Sequence, residues 1–575
     1  MDPVAAEDLE AVQHQADRWR VEHRLIDMHQ HLDHAPGHLA RAVKIMDEVG
    51  LGVVVNLGTG TTTRDAEGGP SEFERNRGLA DAAHPGRILH YMILDYQGWD
   101  DPDWSTRAVR QVEEGHRLGA AGLKEFKRLG LYLRDGAGRL IQVDDSKLDP
   151  VWKRCGELRM PVSIHVADPK AFWLPYESKN ERWKELKDHP TWWFGDTNRF
   201  PSWRSLLESL NRVVARHPAT TFVGVHFANN AEELDWVDAS LSRLPNMMAD
   251  LAARIPELGR HDPETVRRLF LKHQDRILFG TDFQVHTRLI LGSSGDEPPP
   301  TDRDAVEFFE KHWRWLETRD GAWTHMTPIQ GEWTIDSIGL PSGVLRKIYF
   351  DNARKLLARS LPPPVVKAQH IGRDFVPDGN LGKPVWEQPL PVHLESSTAD
   401  AAVRAELSTT VRVLWSDRYL YVSYECPYTQ LTVFEPPRFD RKRHSLPEPA
   451  SSLWDRDVVE VFINADPQDL RHYLEFQVAP TNERLDLSLR LPDRDFAWNS
   501  GFETAVAIDE SARVWTCEMR IPLASLSPAR PKAGTQWRLN FFRCDRAGQA
   551  LLAWNPSLSG SFHTPERFGI LEFIR

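Results

Sequence analysis

Short apolar runs alternate with helix-length amphipathic stretches through the first half of the chain, and eight such runs precede residue 285. They are LIDMHQH (25–31), GVVVNLG (52–58), ILHYMILDY (88–96), AGLKEFKRL (121–129), PVSIHVAD (161–168), TFVGVHFAN (221–229), NMMADLAA (246–253) and RILFGTDF (276–283). Between them HLARAVKIMDEVG ends at Gly50, and SWRSLLESLNRVVARHP starts at a serine cap and stops before Pro218, as helices do. Strand, helix, strand implies parallel pairing. Eight such units close most simply into a (β/α)8 TIM barrel.

Two connections are long for such a barrel, 169–202 after strand five and 284–340 after strand eight. Both leave the carboxyl ends of strands, where barrels build their sites. The first carries Trp173, Trp183, Trp192 and Trp193, and the second Trp313, Trp315, Trp323 and Trp333. Rings so placed either line a pocket or pack the loops down. The stretch LPSGVLRKIYFDNARKLLA predicts a closing helix, which puts the barrel at residues 1–360.

Three consecutive prolines in LPPPVVKAQ (361–369) predict a stiff spacer over 361–373. From 374 to 575 the periodicity changes to two, in VRVLWSDRYLYVSYEC, DVVEVFINAD, HYLEFQVAPTNERLDLSLR, VWTCEMRIPL, QWRLNFFRCD and FGILEFI. An antiparallel β-sandwich suits that pattern. There is no internal repeat.

A net charge of -12 argues against nucleic acid or an anionic membrane as the main partner. The short basic run RFDRKRH (438–444) reads as a solvated loop. Cys155, Cys426, Cys517 and Cys544 show no metal-binding spacing and predict no disulfide framework. The first thirty residues lack a secretory signal and no run reaches transmembrane length, so a cytoplasmic protein is expected.

The chemistry sits at the strand ends. With 23 His in the chain, one His-x-His pair is expected by chance, so the conjunction matters rather than any one motif. Side chains alternate along a strand, so His29 and His31 share a face with Asp27. His165 from strand five and Asp282 from strand eight complete a His3Asp set suited to zinc first, or to manganese or ferrous iron. Such an ion lowers the pKa of bound water from near 16 to about 7. Asp282 can then serve as ligand and proton acceptor, and His226 can polarise a substrate or donate to a leaving group.

DMHQH at the barrel's opening, His165, VHFANN, ILFGTD and GLPSGVLRKIYFDNARKLL resemble the amidohydrolase superfamily, and within it amidohydrolase family 2. The resemblance implies metal-dependent hydrolases or decarboxylases. It implies that His29 and His31 are the opening metal pair, His165 the strand-five ligand and Asp282 the strand-eight ligand and base. His226 is then a second-metal ligand or the catalytic histidine of one-metal members. Two-metal relatives often place a carboxylated lysine or a glutamate on strand four, where this chain offers Lys124 and Glu125 on opposite faces. Lys124 is expected inward, as a substrate contact beside a single metal.

DFVPDGNLGKPVW, LWDRDVVEVFI, HYLEFQVAPTNERLD, CEMRIPLASL, WRLNFFRCD and AWNPSLSGSFHTPERFGILEF resemble family 9 carbohydrate-binding modules. In sugar-binding members two aromatic rings clamp a terminal sugar. Trp454, Trp498 and Trp554 are candidates for that role, with Glu460 and Asn555 as polar contacts; core packing is the alternative for each.

These readings lead to a metal-dependent hydrolase of a small carbohydrate-derived ester, foremost a sugar lactone, with His226 or Lys124 stabilising the oxyanion. A non-oxidative decarboxylase of aromatic or unsaturated carboxylates is the runner-up. The third reading is a non-catalytic carbohydrate-binding protein on a barrel scaffold.

Overall fold

Eight parallel strands come first: β1 (Leu25–Leu32), β2 (Leu51–Leu57), β3 (Ile88–Met92), β4 (Gly122–Glu125), β5 (Val162–Ile164), β6 (Phe222–Gly224), β7 (Met247–Asp250) and β8 (Ile277–Leu278), hydrogen-bonded in that order. They belong to a computed structural model that describes residues 8–293, 298–437 and 452–575. The Met28 N–H donates to the Phe279 carbonyl and the Asp282 N–H to the His29 carbonyl, both at 2.9 Å, so the exit of β8 meets β1 and the sheet curls into a barrel. The chain divides into two compact units, Met1–Leu361 and Pro362–Arg575.

Local sequence explains the helices. Pro36–Val49 starts with proline in its first turn, buries Leu39, Ala42, Val43 and Met46 at helical spacing, and stops at Gly50, whose φ of 82° suits a residue without Cβ. Trp203–Arg216 is capped by Ser202, whose side chain accepts from the Ser205 N–H.

The connection expected over 284–340 is more ordered than its sequence reading. Phe283–Val285 (β9) extends the sheet beside β1, and Leu289–Leu291 (β10) folds back antiparallel to it. A 16-residue helix, Asp302–Glu317, follows a Thr301 capping box and buries Ala305, Phe308, Phe309, His312, Trp313 and Leu316 on one face. The closing segment is not one regular helix. Ser342–Arg346 and Asn352–Leu357 flank a widened π turn over Lys347–Asp351, in which the Ile348 carbonyl accepts from Phe279 N–H at 3.0 Å.

In the second unit a continuous path of paired strands is antiparallel apart from Val365–His370, which runs parallel to both Thr409–Trp415 and Gly569–Ile574. That strand corrects the spacer expected over 361–373: residues beyond the prolines add to the sheet because Val366 and Ala368 alternate into its core. Alternation also buries Val411 and Val413 against Val422, Val461, Phe476, Phe541 and Leu571. All four cysteines are free and buried. The run 438–444 lies outside the described residues, among which no helix is long and apolar enough to cross a membrane.

Helix Leu9–Val21 precedes the barrel and buries Val12, Ala16 and Trp19, with the Trp19 ring edge-on to Phe350 at 5.4 Å. Truncating a buried indole removes its burial and leaves a cavity. Trp19→Ala should therefore destabilise the barrel by about 3–5 kcal/mol, read as a lowered barrel transition in scanning calorimetry.

Candidate metal centre

The carboxyl ends of the barrel strands open on a cavity of about 240 Å³ lined by His29, His31, Lys124, His165, His226 and Asp282 among others. Ligand atoms of His29, His226 and Asp282 lie within 4.8 Å of one another. His31 Nε2 is 3.4 Å from Asp282 Oδ1, and the His165 ring is 4.4 Å from that of His226. The six residues thus converge: His226 joins His29 and Asp282 in the trio, and His31 Nε2 approaches Asp282 Oδ1 more closely than His29 Nε2 does, at 3.4 against 3.7 Å. His165 Nε2 instead faces Asp168 Oδ1 at 3.3 Å.

Asp250, at the end of β7, organises the trio. Its Oδ2 receives His29 Nδ1 at 2.9 Å, and its Oδ1 accepts the backbone N–H groups of His226 at 2.8 Å and Ala252 at 3.2 Å. His226 Nδ1 is 2.8 Å from the Ala252 carbonyl oxygen, to which it donates. With Nδ1 occupied on both rings, each turns an Nε2 lone pair inward. Burial, and then neighbouring cations and histidines, hold His29, His31 and His226 well below the usual imidazole range; burial likewise lowers His165, to about 4. At neutral pH all four are neutral donors.

Two ligands stand on left-handed backbone. Residues His226 to Asn229 have φ of 54°, 55°, 57° and 60°, and Asp282 has φ of 60°. Asn229 pins the first turn, since its Oδ1 accepts from Val166 N–H at 2.8 Å and its Nδ2 donates to the Ile164 carbonyl at 3.2 Å. Gly224 makes the turn passable: a Cβ there would sit 2.9 Å from Ala228 Cα.

Asp27 shares the β1 row but is a structural clasp. It accepts from the His29 N–H (3.0 Å), Gln30 Nε2 (2.7 Å) and Thr281 Oγ1 (2.6 Å), joining β1 to the loop after β8. Asp282 is the reachable acid, with 14% of its side chain exposed, and burial raises its pKa to about 7. Lys124 points into the cavity, while Glu125 is buried away from it beside Tyr96 and Arg128. Lys124 Nζ has no hydrogen-bond partner among the described residues, and burial lowers its pKa to about 8. Of the eight loop tryptophans, Trp192 lines the cavity. Others pin the loops by indole N–H bonds, Trp173 to Pro201, Trp193 to Leu174, Trp315 to Asp336 and Trp333 to Pro256.

A divalent ion fits this donor set: two buried neutral imidazoles and a carboxylate, oriented by a second carboxylate. A tetrahedral ion with bonds of about 2.1 Å spaces its ligand atoms by about 3.4 Å, so closure needs shifts of about 1 Å. Sequence reasoning missed Asp250, Asp168, Lys127 and Arg254. Asp250 carried a legible signal, being an acid at the end of a strand like the other site residues.

The sandwich has its own cavity, of about 230 Å³, lined by Trp454, Glu460, Glu475, Gln477, Arg494, Arg546, Phe562 and His563. Glu460 opposes Gln477 and Phe462 opposes Glu475, which sets the two glutamates diagonally on one face. Trp498, Trp554 and Asn555 do not line it. Trp498 packs edge-on to Phe476 at 6.0 Å, Trp554 tilts against Phe541 at 5.5 Å, and Asn555 Nδ2 donates to the Arg567 carbonyl at 2.6 Å. These three serve packing and loop closure.

Residues 26–359 match the family model for amidohydrolases, and residues 377–575 match that for carbohydrate family 9 binding domain-like proteins. An extracellular protein of Arthroderma benhamiae is 27% identical over 184 residues, 29% of this chain and 78% of its own length. Endo-1,4-beta-xylanase A of Thermotoga maritima is 23% identical over 204 residues, 34% of this chain and 17% of its own length. Among solved structures, 2,6-dihydroxybenzoate decarboxylase from Rhizobium is 17% identical with a TM-score of 0.34, covering 58% of this chain and 98% of that one. A family 9 carbohydrate binding module from Caldicellulosiruptor kristjanssonii, in complex with cellotriose, is 16% identical with a TM-score of 0.27, covering 37% of this chain and 94% of that one.

Asp250→Asn should weaken zinc binding about 10–100-fold in a chelator competition titration, because its carboxylate orients His29 and carries the His226 turn. In the sandwich, burial raises both glutamates, Glu475 from 4.5 to about 7, and Glu475 pushes Glu460 further up. Acids protonated in the fold stabilise it below the unfolded pKa and lose that contribution as pH rises through the folded value. Sandwich stability should fall between pH 4.5 and about 7, and Glu475→Gln should flatten that decline in thermal melts.

Proposed function

The chain belongs to the amidohydrolase family and is a metal-dependent enzyme of that superfamily, and from that premise we propose that it hydrolyses a small sugar-derived lactone or ester. The observation that carries the proposal is the buried trio of His29, His226 and Asp282 at the barrel mouth, with an acid that burial brings to about 7. The match of residues 377–575 to a carbohydrate-binding family supports a sugar-derived substrate.

A divalent ion held there supplies Lewis acidity to a carbonyl and acidity to water. His29 and His226 would hold it together with Asp282, their rings oriented by Asp250 and the Ala252 carbonyl. Asp282, near its midpoint at neutral pH, takes the proton of the attacking water and returns it to the leaving oxygen. The Lys124 ammonium, buried without a hydrogen-bond partner among the described residues, supports the developing oxyanion, and His165 Nε2 lies 3.3 Å from Asp168 Oδ1. Trp192 and Phe172 shield this side from water, their rings stacked at 6.2 Å.

A second reading is favoured by the Lys124 ammonium, which lies 5.5 Å over the Phe126 ring in the same cavity, an arrangement that suits non-oxidative decarboxylation of a planar carboxylate. The two reactions differ in their proton balance. Zinc-loaded protein offered a panel of sugar lactones and esters should release acid in a pH-stat, whereas decarboxylation would release carbon dioxide and consume acid. Asp282→Asn should lower kcat on the active lactone by about 10²–10⁴-fold while the protein still melts as a folded barrel. Acid release from no member of the panel, with zinc bound, would remove the hydrolase proposal.

A further inference from the structure

Four cationic side chains line the barrel cavity: Lys124, Lys127, Arg182 and Arg254. Two are neutralised within the protein. Lys127 Nζ lies 2.6 Å from Asp168 Oδ2, and Arg182 is clasped by Glu185, at 2.7 Å, and by Glu257. The other two are not. Lys124 Nζ is buried without a hydrogen-bond partner among the described residues. Arg254 is 6% exposed, its Nη1 donates to the Ala253 carbonyl at 2.8 Å, and no carboxylate of the described residues lies within ion-pair distance of it.

The acids that act on Arg254 at longer range are engaged elsewhere, Asp168 with Lys127, Glu185 with Arg182 and Ser293, and Glu232 with the Lys170 N–H, while Asp282 stands at the candidate metal site, where Lys124 acts on it more strongly than Arg254 does. A buried guanidinium without a counter-charge is costly to fold and persists where a ligand completes it. Its planar fork matches a carboxylate in two parallel bonds.

Resting on the hydrolase reading above, we propose that the substrate carries a carboxylate separate from the bond that is cleaved, and that Arg254 is the residue that grips it. The substrate class narrows to acidic sugar derivatives, such as the lactones of aldaric acids. Arg254 acts on specificity, since its grip fixes which carbonyl reaches Asp282.

Calorimetric titration of the full-length protein, zinc-loaded and metal-free, tests this with matched probes: D-gluconate and D-glucarate against D-glucitol, and benzoate against benzyl alcohol. At least one carboxylate should bind where its neutral partner does not. Arg254→Met should weaken that carboxylate at least about tenfold in both metal states, and Arg254→Lys should recover part of the loss. Zinc content by elemental analysis should stay unchanged in both variants. Equal binding of carboxylate and alcohol, no carboxylate binding at all, or an unaltered affinity in Arg254→Met would overturn the assignment, as would tighter capture of inorganic phosphate than of any carboxylate. If Arg254→Met does not fold, Arg254→Lys alone decides, by weakening the carboxylate and not the alcohol. The outcomes separate from the parent reading: hydrolysis of neutral lactones unaffected by Arg254→Met sinks this inference alone, and Arg254-dependent carboxylate binding without any hydrolysis sinks the hydrolase proposal alone.

Discussion

The carboxylate of Asp250 is the constraint on which the barrel's chemistry depends. One oxygen fixes the His29 ring and the other anchors the backbone of His226, so a single buried acid sets two of the three converging ligands. A buried carboxylate is tolerated when each oxygen is paired, and here the pairs are a ring nitrogen and two peptide N–H groups. Burial raises Asp250 to about 6 against the lowering pull of Lys124 and of the two peptide N–H groups, so the group is poised between charged and neutral forms, and cation binding at the adjacent rings favours the charged one. The metal centre and the fold of β7 are thereby one structure.

The barrel was legible because its signals are periodic and repeated. Eight apolar runs with helices between them leave few alternatives, and the alternation of β1 places His29 and His31 on the cavity side as the strand geometry requires. What escaped the sequence was interaction across the barrel. Asp27 shares that alternation, yet Thr281 from the far end of the unit claims its carboxylate. Arg254 lies four residues beyond β7 in an irregular turn, where no period says which way a side chain points. In the sandwich, Trp454 and Glu460 reach a cavity while Trp498, Trp554 and Asn555 support loops, a distinction made by neighbouring strands and not by the tryptophan itself. Val365–His370 escaped for a related reason, since three prolines before it masked a short alternating run.

The two cavities handle buried charge differently. In the barrel, Lys127 and Arg182 are ion-paired with acids, while Lys124 and Arg254 have no ion-pair partner at bonding distance among the described residues and feel Asp282 at longer range. In the sandwich two glutamates sit diagonally on adjacent strands with Arg494 and Arg546 beside them, and burial raises both acids, so the wall combines hydrogen-bonding groups, two guanidinium groups and aromatic faces. Cationic groups discriminate by charge; polar atoms and aromatic rings discriminate by shape and hydroxyl placement.

Strain at the metal centre follows from the same economy of groups. A non-glycine residue on left-handed backbone costs about 1 kcal/mol or more, and four successive ones after β6, together with Asp282, make the site a local maximum of stored strain. Three of these five residues are tied down: His226 through its N–H and Nδ1, Asn229 through both ends of its amide, and Asp282 through its N–H to the His29 carbonyl. The turn after β6 aims the imidazole across the barrel axis toward His29, with ring centroids 4.9 Å apart, where a regular strand exit would carry the chain outward to the next helix. Relaxing that turn would swing His226 off the cavity and leave Asp250 Oδ1 with a single N–H. The sequence VHFANN therefore spends backbone strain to bring one nitrogen to a shared point, and Gly224 beneath it is the residue that lets the chain turn so tightly.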